Sequence, residues 1–304
     1  MKRILFFLIT NIAILLVLSI FLSLIGFTGI LQNNGIDLDY NSLMLFSLVF
    51  GMGGSFISLY MSKWMAKKMA GVKVIQSPSN EFEKWYFNVV EKQSQRLDIK
   101  IPEIGIFESP QPNAFATGSS KNNSLVALST GLINNMNKNE VEAVIGHEMS
   151  HVANGDMVTL TLIQGIINAF VIFFSRVIGH FVDRVILKNE RGYGIGYFVT
   201  VIFAQIILAI LASVIVCWFS RRREFRADFG GAQLTSKESM ISSLKTLEKF
   251  SAAKLPDQML AFGISNKGQS STLKKLFSTH PPLSKRIAAL QDTEIVSLSE
   301  QPIN

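Results

Sequence analysis

The stretch AVIGHEMSHVANGD, Ala143 to Asp156, decides how this chain is read. Val141, Val144, Ile145 and Val152 recur at the spacing of a buried helical stripe. Glu148 falls inside that stripe, with His147 and His151 beside it. Residues four apart on a helix share a face, so the H-E-x-x-H of His147 to His151 offers two imidazoles to one metal ion. Glu148 can then reach a water on that ion as general base. Zinc suits the set: its borderline softness fits imidazole, and an open fourth position brings the pKa of its water toward about 7. Two core histidines with a surface glutamate would fit poorly, because burying a carboxylate and two imidazoles without partners is costly. The chain has only 4 histidines, and two of them stand here.

Two histidines leave one protein ligand to find. The metzincin extension requires a glycine and a third histidine further along; those places hold Asn154 and Met157, which excludes it. A carboxylate from a later helix is the other solution. RRREFRAD, Arg221 to Asp228, supplies Glu224 and Asp228 four apart on one face. One of them binds zinc while the other accepts a hydrogen bond from the second nitrogen of a ligand histidine; a solvated charge patch beside a membrane is the bland alternative.

Working outward, the chain is 48% hydrophobic and only 17% charged over 304 residues. The excess sits in blocks: Ile4 to Phe27, Leu43 to Met61, Met157 to Val182 and Tyr193 to Ser220. Each approaches the roughly 20 residues a helix needs to cross hydrocarbon. The first two read as anchors and not as a cleaved leader. Lys2 and Arg3 precede the first block, and Lys63, Lys67, Lys68 and Lys73 follow the second; the connection from Gln32 to Ser42 carries Asp37 and Asp39 but no base. The positive-inside rule then places both flanks in the cytoplasm. Arg184, Lys188 and Arg191 lie between the last two blocks, so a spanning hairpin and one only embedded both stay open. The net charge of +7 follows from these clusters, which suit anionic headgroups, and calls for no nucleic acid. Cys217 is the single cysteine, so no internal disulfide can form.

Pro78 to Asp156 reads as a soluble α+β unit. Phe82, Trp85, Tyr86, Val89 and Val90 form an amphipathic stripe, with Asn80 and Glu83 at capping-box spacing; Asn137 and Glu140 repeat that spacing before the H-E-x-x-H helix. Strand-like pieces run over Ile104 to Phe107, Ala114 to Thr117 and Leu125 to Ser129, the last two separated by the turn-rich Gly118 to Ser124. In the third apolar block Thr161, Gln164, Asn168 and Ser175 share a face, read as interhelical hydrogen bonding. Arg176 and His180 interrupt the end of that block. Gly54, Ser58 and Ser62 read as close helix packing. The fold expected is α+β, mostly helical, and integral to a membrane with about four apolar helices. Its organisation is an anchor over 1–62, two parts of one cytoplasmic metal-site domain over 63–156 and 221–304, and a membrane-associated hairpin over 157–220.

Four motifs in order extend this reading: NAFATG at Asn113 to Gly118, HEMSHVANGDM at His147 to Met157, WFSRRREFRAD at Trp218 to Asp228 and THPPLSKRI at Thr279 to Ile287. With the apolar blocks between them, the chain resembles the HtpX family of membrane-bound heat-shock zinc proteases over nearly its whole length. These are relatives of the CAAX prenyl proteases with a gluzincin-like core and a small β-sheet. The resemblance implies His147, His151 and Glu224 as ligands of one zinc per chain, Glu148 as catalytic base and Asp228 behind the ligands. It further implies that His280 stabilises the oxyanion, that Arg286 braces the ligands, and that Asn113, Ala114 and Phe115 hold substrate backbone on an edge strand. The implied activity is endopeptidase cleavage of misfolded or damaged membrane proteins at the cytoplasmic face of the inner (plasma) membrane, in quality control and stress response. A processing protease for lipidated tails and a membrane scaffold with structural zinc are the rivals.

Overall fold

The computed structural model describes residues 39–189, 192–252 and 276–295. The first apolar block, Lys2, Arg3 and Arg191 lie outside the described residues. Three described helices are long and apolar enough to cross a membrane: α1 (Tyr40–Met69), α5 (Asp156–Phe181, continued by a π-helical turn over Val182–Ile186) and α6 (Ile195–Leu234). At 1.5 Å per residue, the 40 residues of α6 extend about 60 Å, well beyond a hydrocarbon core of about 30 Å. Asp39 starts α1 by accepting from the backbone N–H of Asn41 and Ser42 at 3.0 and 3.2 Å, two donors that the first turn would leave open. The chain forms two compact units. One comprises Met1–Ile57 with Thr161–Ile215, the other Ser58–Leu160 with Val216–Asn304.

In the first unit α1 and α5 approach closely through small residues. A Cβ on Gly51 would lie 2.4 Å from the backbone nitrogen of Ala169, and one on Gly165 would lie 2.7 Å from Met52 Sδ. The polar face of α5 is used within this packing. Gln164 donates to Asn168 at 2.9 Å, and Asn168 donates across to Ser55 Oγ at 3.4 Å. Arg176 lies over the Phe46 ring, 4.9 Å from its centroid. His180 packs edge-on against both Tyr193 and Tyr197, each 5.0 Å away centroid to centroid. The close packing expected at Gly54 is absent among the described residues, where nothing lies within 4 Å of its added Cβ. The tight face of α1 instead runs through Ser47, Gly51, Met52 and Ser55, one helical ridge around from the expected series.

The second unit holds a four-stranded sheet in the order β1-β2-β4-β3: β1 (Lys73–Val74), β2 (Glu103–Phe107), β3 (Ala114–Ser120) and β4 (Asn123–Ser129). β2 and β4 pair in parallel, while β3 returns antiparallel to β4 and forms an edge. The strands run further into Gly118 to Ser124 than the turn-rich composition implies, leaving Lys121 and Asn122 as the turn, with a bulge between Gly118 and Ser120. The middle of β4, Leu125 to Leu128, is continuously apolar and buried, as a strand covered on both faces requires.

Helix α2 (Glu81–Arg96) packs its predicted stripe onto this sheet, and the short α3 (Thr130–Asn135) leads to α4 (Lys138–Asn154). Tyr86, Val90, Val126, Leu128, Ile145 and Met149 share one core, each worth about 1.5–3 kcal/mol by removal from water. The fully buried Tyr86 hydroxyl donates to Val126 O at 3.0 Å. Asn137 and Glu140 make the reciprocal capping box that their spacing predicts. At Asn80 only half of it forms: the Asn80 side chain accepts from Glu83 N–H, but the Glu83 carboxylate reaches back one residue further, to Ser79 N–H and Oγ. Helix α7 (Lys237–Ala252) and helix α8 (Leu283–Gln291) close the unit over Ala143, Ala232, Met240 and Leu244.

Candidate active site

The site forms where α4 and the last turns of α6 meet. That meeting depends on glycines, because side chains at the crossing would hold the backbones apart. A Cβ on Gly231 would stand 2.9 Å from His147 N, and one on Gly230 would stand 2.4 Å from Ser150 Oγ. Gly146 faces the Gly231 backbone from the other side, with its added Cβ at 3.2 Å. Gly231 lies seven residues, about two turns, beyond Glu224, so the face that makes the crossing also carries the carboxylate.

His147 and His151 present their rings at 90°, with centroids 4.7 Å apart. Glu224 faces both: Oε2 lies 3.6 Å from His147 Nε2, and Oε1 lies 3.5 Å from His151 Nε2. These spacings are long for hydrogen bonds. They match a tetrahedral ion whose bonds of about 2.1 Å hold ligand atoms about 3.4 Å apart. The three residues form a group able to hold a metal, with donor atoms within 4.8 Å of one another. Asp228 stands outside this group and contacts the other ring nitrogen: its Oδ1 lies 2.9 Å from His147 Nδ1.

Each imidazole is held from behind by a carboxylate, which leaves Nε2 turned to Glu224. Asp228 does this for His147, and Asp156 Oδ2 does it for His151 Nδ1 at 2.7 Å. Burial opposes charge on His147, but Asp228 and Glu224 outweigh it and hold the ring's pKa above its ordinary value. For His151 burial likewise opposes, and Asp156 and Glu224 push the pKa up to about 9. The carboxylates around the two rings thus favour positive charge in this cavity. Arg286 joins the outer groups: Nε donates to Asp228 Oδ2 at 2.7 Å, Nη2 bonds Asp228 Oδ1, and Nη1 lies 3.2 Å from Glu224 Oε2. Asp156 is itself secured by Arg226 Nη2 at 3.2 Å from its Oδ1, and by Arg223, which donates to its backbone oxygen at 3.1 Å.

Asp156 is the functional residue that sequence reasoning passed over. Its position was quoted in the opening stretch but carries no recognisable spacing. Gly155, at φ 62, ends α4 in the left-handed region and lets α5 start at once, and this turn brings Asp156 back onto His151. Glu148 is half-buried and close enough to His151, Tyr86 and Arg286 to act on each electrostatically. His280 reaches the ligand carboxylate, with Nδ1 2.8 Å from Glu224 Oε2 and a side chain 63% exposed. Asn113 leads into the edge strand and spends both backbone groups on Ser129: its N–H donates to Ser129 Oγ and its carbonyl accepts from Ser129 N–H, each at 2.9 Å. By strand alternation the backbones of Ala114 and Ala116 then face away from β4. Phe115 packs against Phe107 with the rings tilted at 42° and centroids 5.3 Å apart.

Comparison with known proteins agrees with this geometry. The family model described as "Peptidase family M48" matches residues 81–294. Protease HtpX of Thioalkalivibrio sulfidiphilus is 59% identical over 292 residues, covering 96% of this chain and 99% of the relative. A protease HtpX homolog of Nitrosomonas europaea is 55% identical with the same coverage. The crystal structure of S. mikatae Ste24p shares the fold at TM-score 0.61 and 17% identity, over 95% of this chain and 67% of that one. A His-His-Glu site carried between long apolar helices and a chain matched end to end by HtpX proteases together lead to one conclusion: this chain belongs to peptidase family M48 and is a membrane-bound metallopeptidase.

Proposed function

We propose that this metallopeptidase is a zinc endopeptidase, with one zinc held by His147, His151 and Glu224, that cuts misfolded or damaged membrane proteins at the cytoplasmic face of the inner membrane. The observation that carries the reading is the pair of Nε2 atoms converging on Glu224 while both Nδ1 atoms are tied to carboxylates. Two imidazoles and one carboxylate are the donor set of a catalytic zinc with an open position. When bound, zinc supplies a Lewis acid for the scissile carbonyl and a water of lowered pKa.

The chain's own groups do the rest. Glu148 takes a proton from the attacking water and returns it to the leaving amine. The imidazole of His280 donates to the oxygen on which charge develops. Asp228 and Asp156 keep the ligand rings oriented, and Arg286 braces Glu224 and Asp228. The outward backbone of Ala114 and Ala116 pairs with an extended substrate, so recognition falls on main chain and selectivity is loose. Lys63, Lys67 and Lys68 at the end of α1, and Arg221 to Arg223 and Arg226 in α6, belong to the unit that bears the site. Lysine and arginine gathered there favour the cytoplasmic side.

The test compares wild type with Glu148→Gln, purified in detergent and reloaded with zinc, for metal content and for cleavage of an unfolded protein. One zinc in each and cutting by wild type alone is the expected result. Cutting by both sinks the base assignment; cutting by neither, with zinc bound in both, sinks the broad endopeptidase reading.

A further inference from the structure

One face of α6 does more than deliver the third ligand. Cys217, Arg221, Glu224 and Asp228 follow each other at i, i+4, i+7 and i+11, so they form a single stripe. The segment Leu276 to Arg286 lies along that stripe in the same order. Cys217 Sγ donates to Phe277 O at 3.4 Å. Arg221 Nη1 donates to two carbonyls at once, Leu276 O at 3.0 Å and Ser278 O at 2.8 Å. Two residues further on, His280 meets Glu224, and Arg286 then meets Glu224 and Asp228. Ser278 Oγ donates to His280 O at 2.5 Å, linking the gripped carbonyls to the histidine. Pro281 and Pro282 stiffen the connection to α8.

His280 is otherwise weakly held. Its side chain is 63% exposed, and its ion-pair partner is Glu224. A backbone placed by charge-assisted hydrogen bonds from a helix face is what such a side chain needs to point one way. We infer that Arg221 is a positioning residue for the hydrolysis: its guanidinium, bridging Leu276 O and Ser278 O, sets where His280 stands relative to the scissile carbonyl. Arg221 touches neither metal ligand nor substrate and acts through the loop backbone alone. This rests on the role proposed above for His280.

The test is a cycle of zinc-loaded full-length variants in detergent: wild type, Arg221→Ala, Arg221→Lys, His280→Ala and the Arg221→Ala/His280→Ala pair. His280→Ala is expected to lower kcat about a hundredfold, as loss of one oxyanion donor does. Arg221→Ala is expected to lower kcat about ten- to a hundredfold, because displacement by about 1 Å has that effect, with KM and zinc content unchanged. Arg221→Lys, which keeps the charge and the donors but not the rigid plane of the guanidinium, recovers part of the loss. The double variant is no slower than His280→Ala alone. Multiplying losses, or full activity in Arg221→Ala, overturns the inference while leaving the His280 role intact. Full activity in His280→Ala overturns that role, and the inference falls with it. Lost zinc or a lowered Tm in Arg221→Ala and Arg221→Lys alike marks Arg221 as structural and also overturns the inference.

Discussion

His151 Nδ1 and Asp156 Oδ2 lie 2.7 Å apart across the junction where α4 ends and α5 begins. A residue at the start of a long apolar helix thus fixes the orientation of an imidazole in the candidate metal site. Arg226 holds the other oxygen of Asp156 at 3.2 Å, so α6 secures the same contact. Replacing Asp156 with Asn keeps the size and removes the charge. Zinc affinity should fall about 10–100-fold, the usual effect of losing a partner behind a ligand histidine. Competition with a chromophoric chelator measures it, and an unchanged affinity would show that the contact does nothing for the metal.

Glu224 and Asp228 are predicted to separate by metal content. Glu224→Ala removes a ligand and leaves zinc unbound at micromolar metal. Asp228→Ala keeps zinc, with affinity weakened by about 10–100-fold. In metal-free protein Glu224→Ala also strips Arg286 and His280 of a shared carboxylate. Arg286 keeps its two bonds to Asp228, so the main loss is of the metal. Full zinc occupancy in Glu224→Ala would remove it from the ligand set.

The α4–α6 crossing should tolerate no side chain at Gly231. An added methyl there meets His147 N at 2.9 Å and Met240 Sδ at 3.1 Å. Gly231→Ala should destabilise the fold by about 1–3 kcal/mol through overpacking, and weaken zinc by moving Glu224 away from the histidines. Gly53→Ala is the control, since nothing among the described residues lies within 4 Å of its added Cβ. Equal thermal stability of the two variants would disprove the crossing argument.

Glu140 gives a stability that depends on pH. Burial opposes its charge, but hydrogen bonds from Ser242, from Asn137 N–H and from Thr246 outweigh that and hold its pKa below the usual carboxylate value of 4.5. A depressed folded pKa means that the stabilisation is complete above the unfolded pKa and disappears as pH falls through the folded one. Glu140→Gln should therefore cost about 1–3 kcal/mol at neutral pH, and the difference from wild type should shrink below pH 4.5. Denaturant unfolding of both proteins across that range checks it. A gap that widens in acid would reverse the sign of the argument.

The parts read correctly from sequence are those governed by residues close in the chain. Asn137 and Glu140 sit three apart and close a capping box because helical geometry leaves those N–H groups free. The stripe through Tyr86, Val89 and Val90 is buried because the period of 3.6 aligns it. What depends on a neighbour was less legible. Among the described residues the contact of α1 with α5 runs through Gly51 and Ser55, since which ridge of a helix meets a neighbour depends on the neighbour. The Glu83 carboxylate bonds Ser79 N–H and Oγ, partners that lie just before the cap.

By itself, the sequence determined that two imidazoles and a carboxylate base would share one helix face, and that long apolar helices would lie on either side of the chemistry. Backbone hydrogen bonding sets the helical period regardless of what the helix later touches. Only the tertiary structure decided that Glu224 and not Asp228 faces both Nε2 atoms, that Asp156 stands behind His151, and that the loop of His280 follows the ligand stripe of α6. Those are contacts between residues far apart in the chain. They depend on a crossing of two helices that glycines at 146, 230 and 231 allow to come within backbone distance.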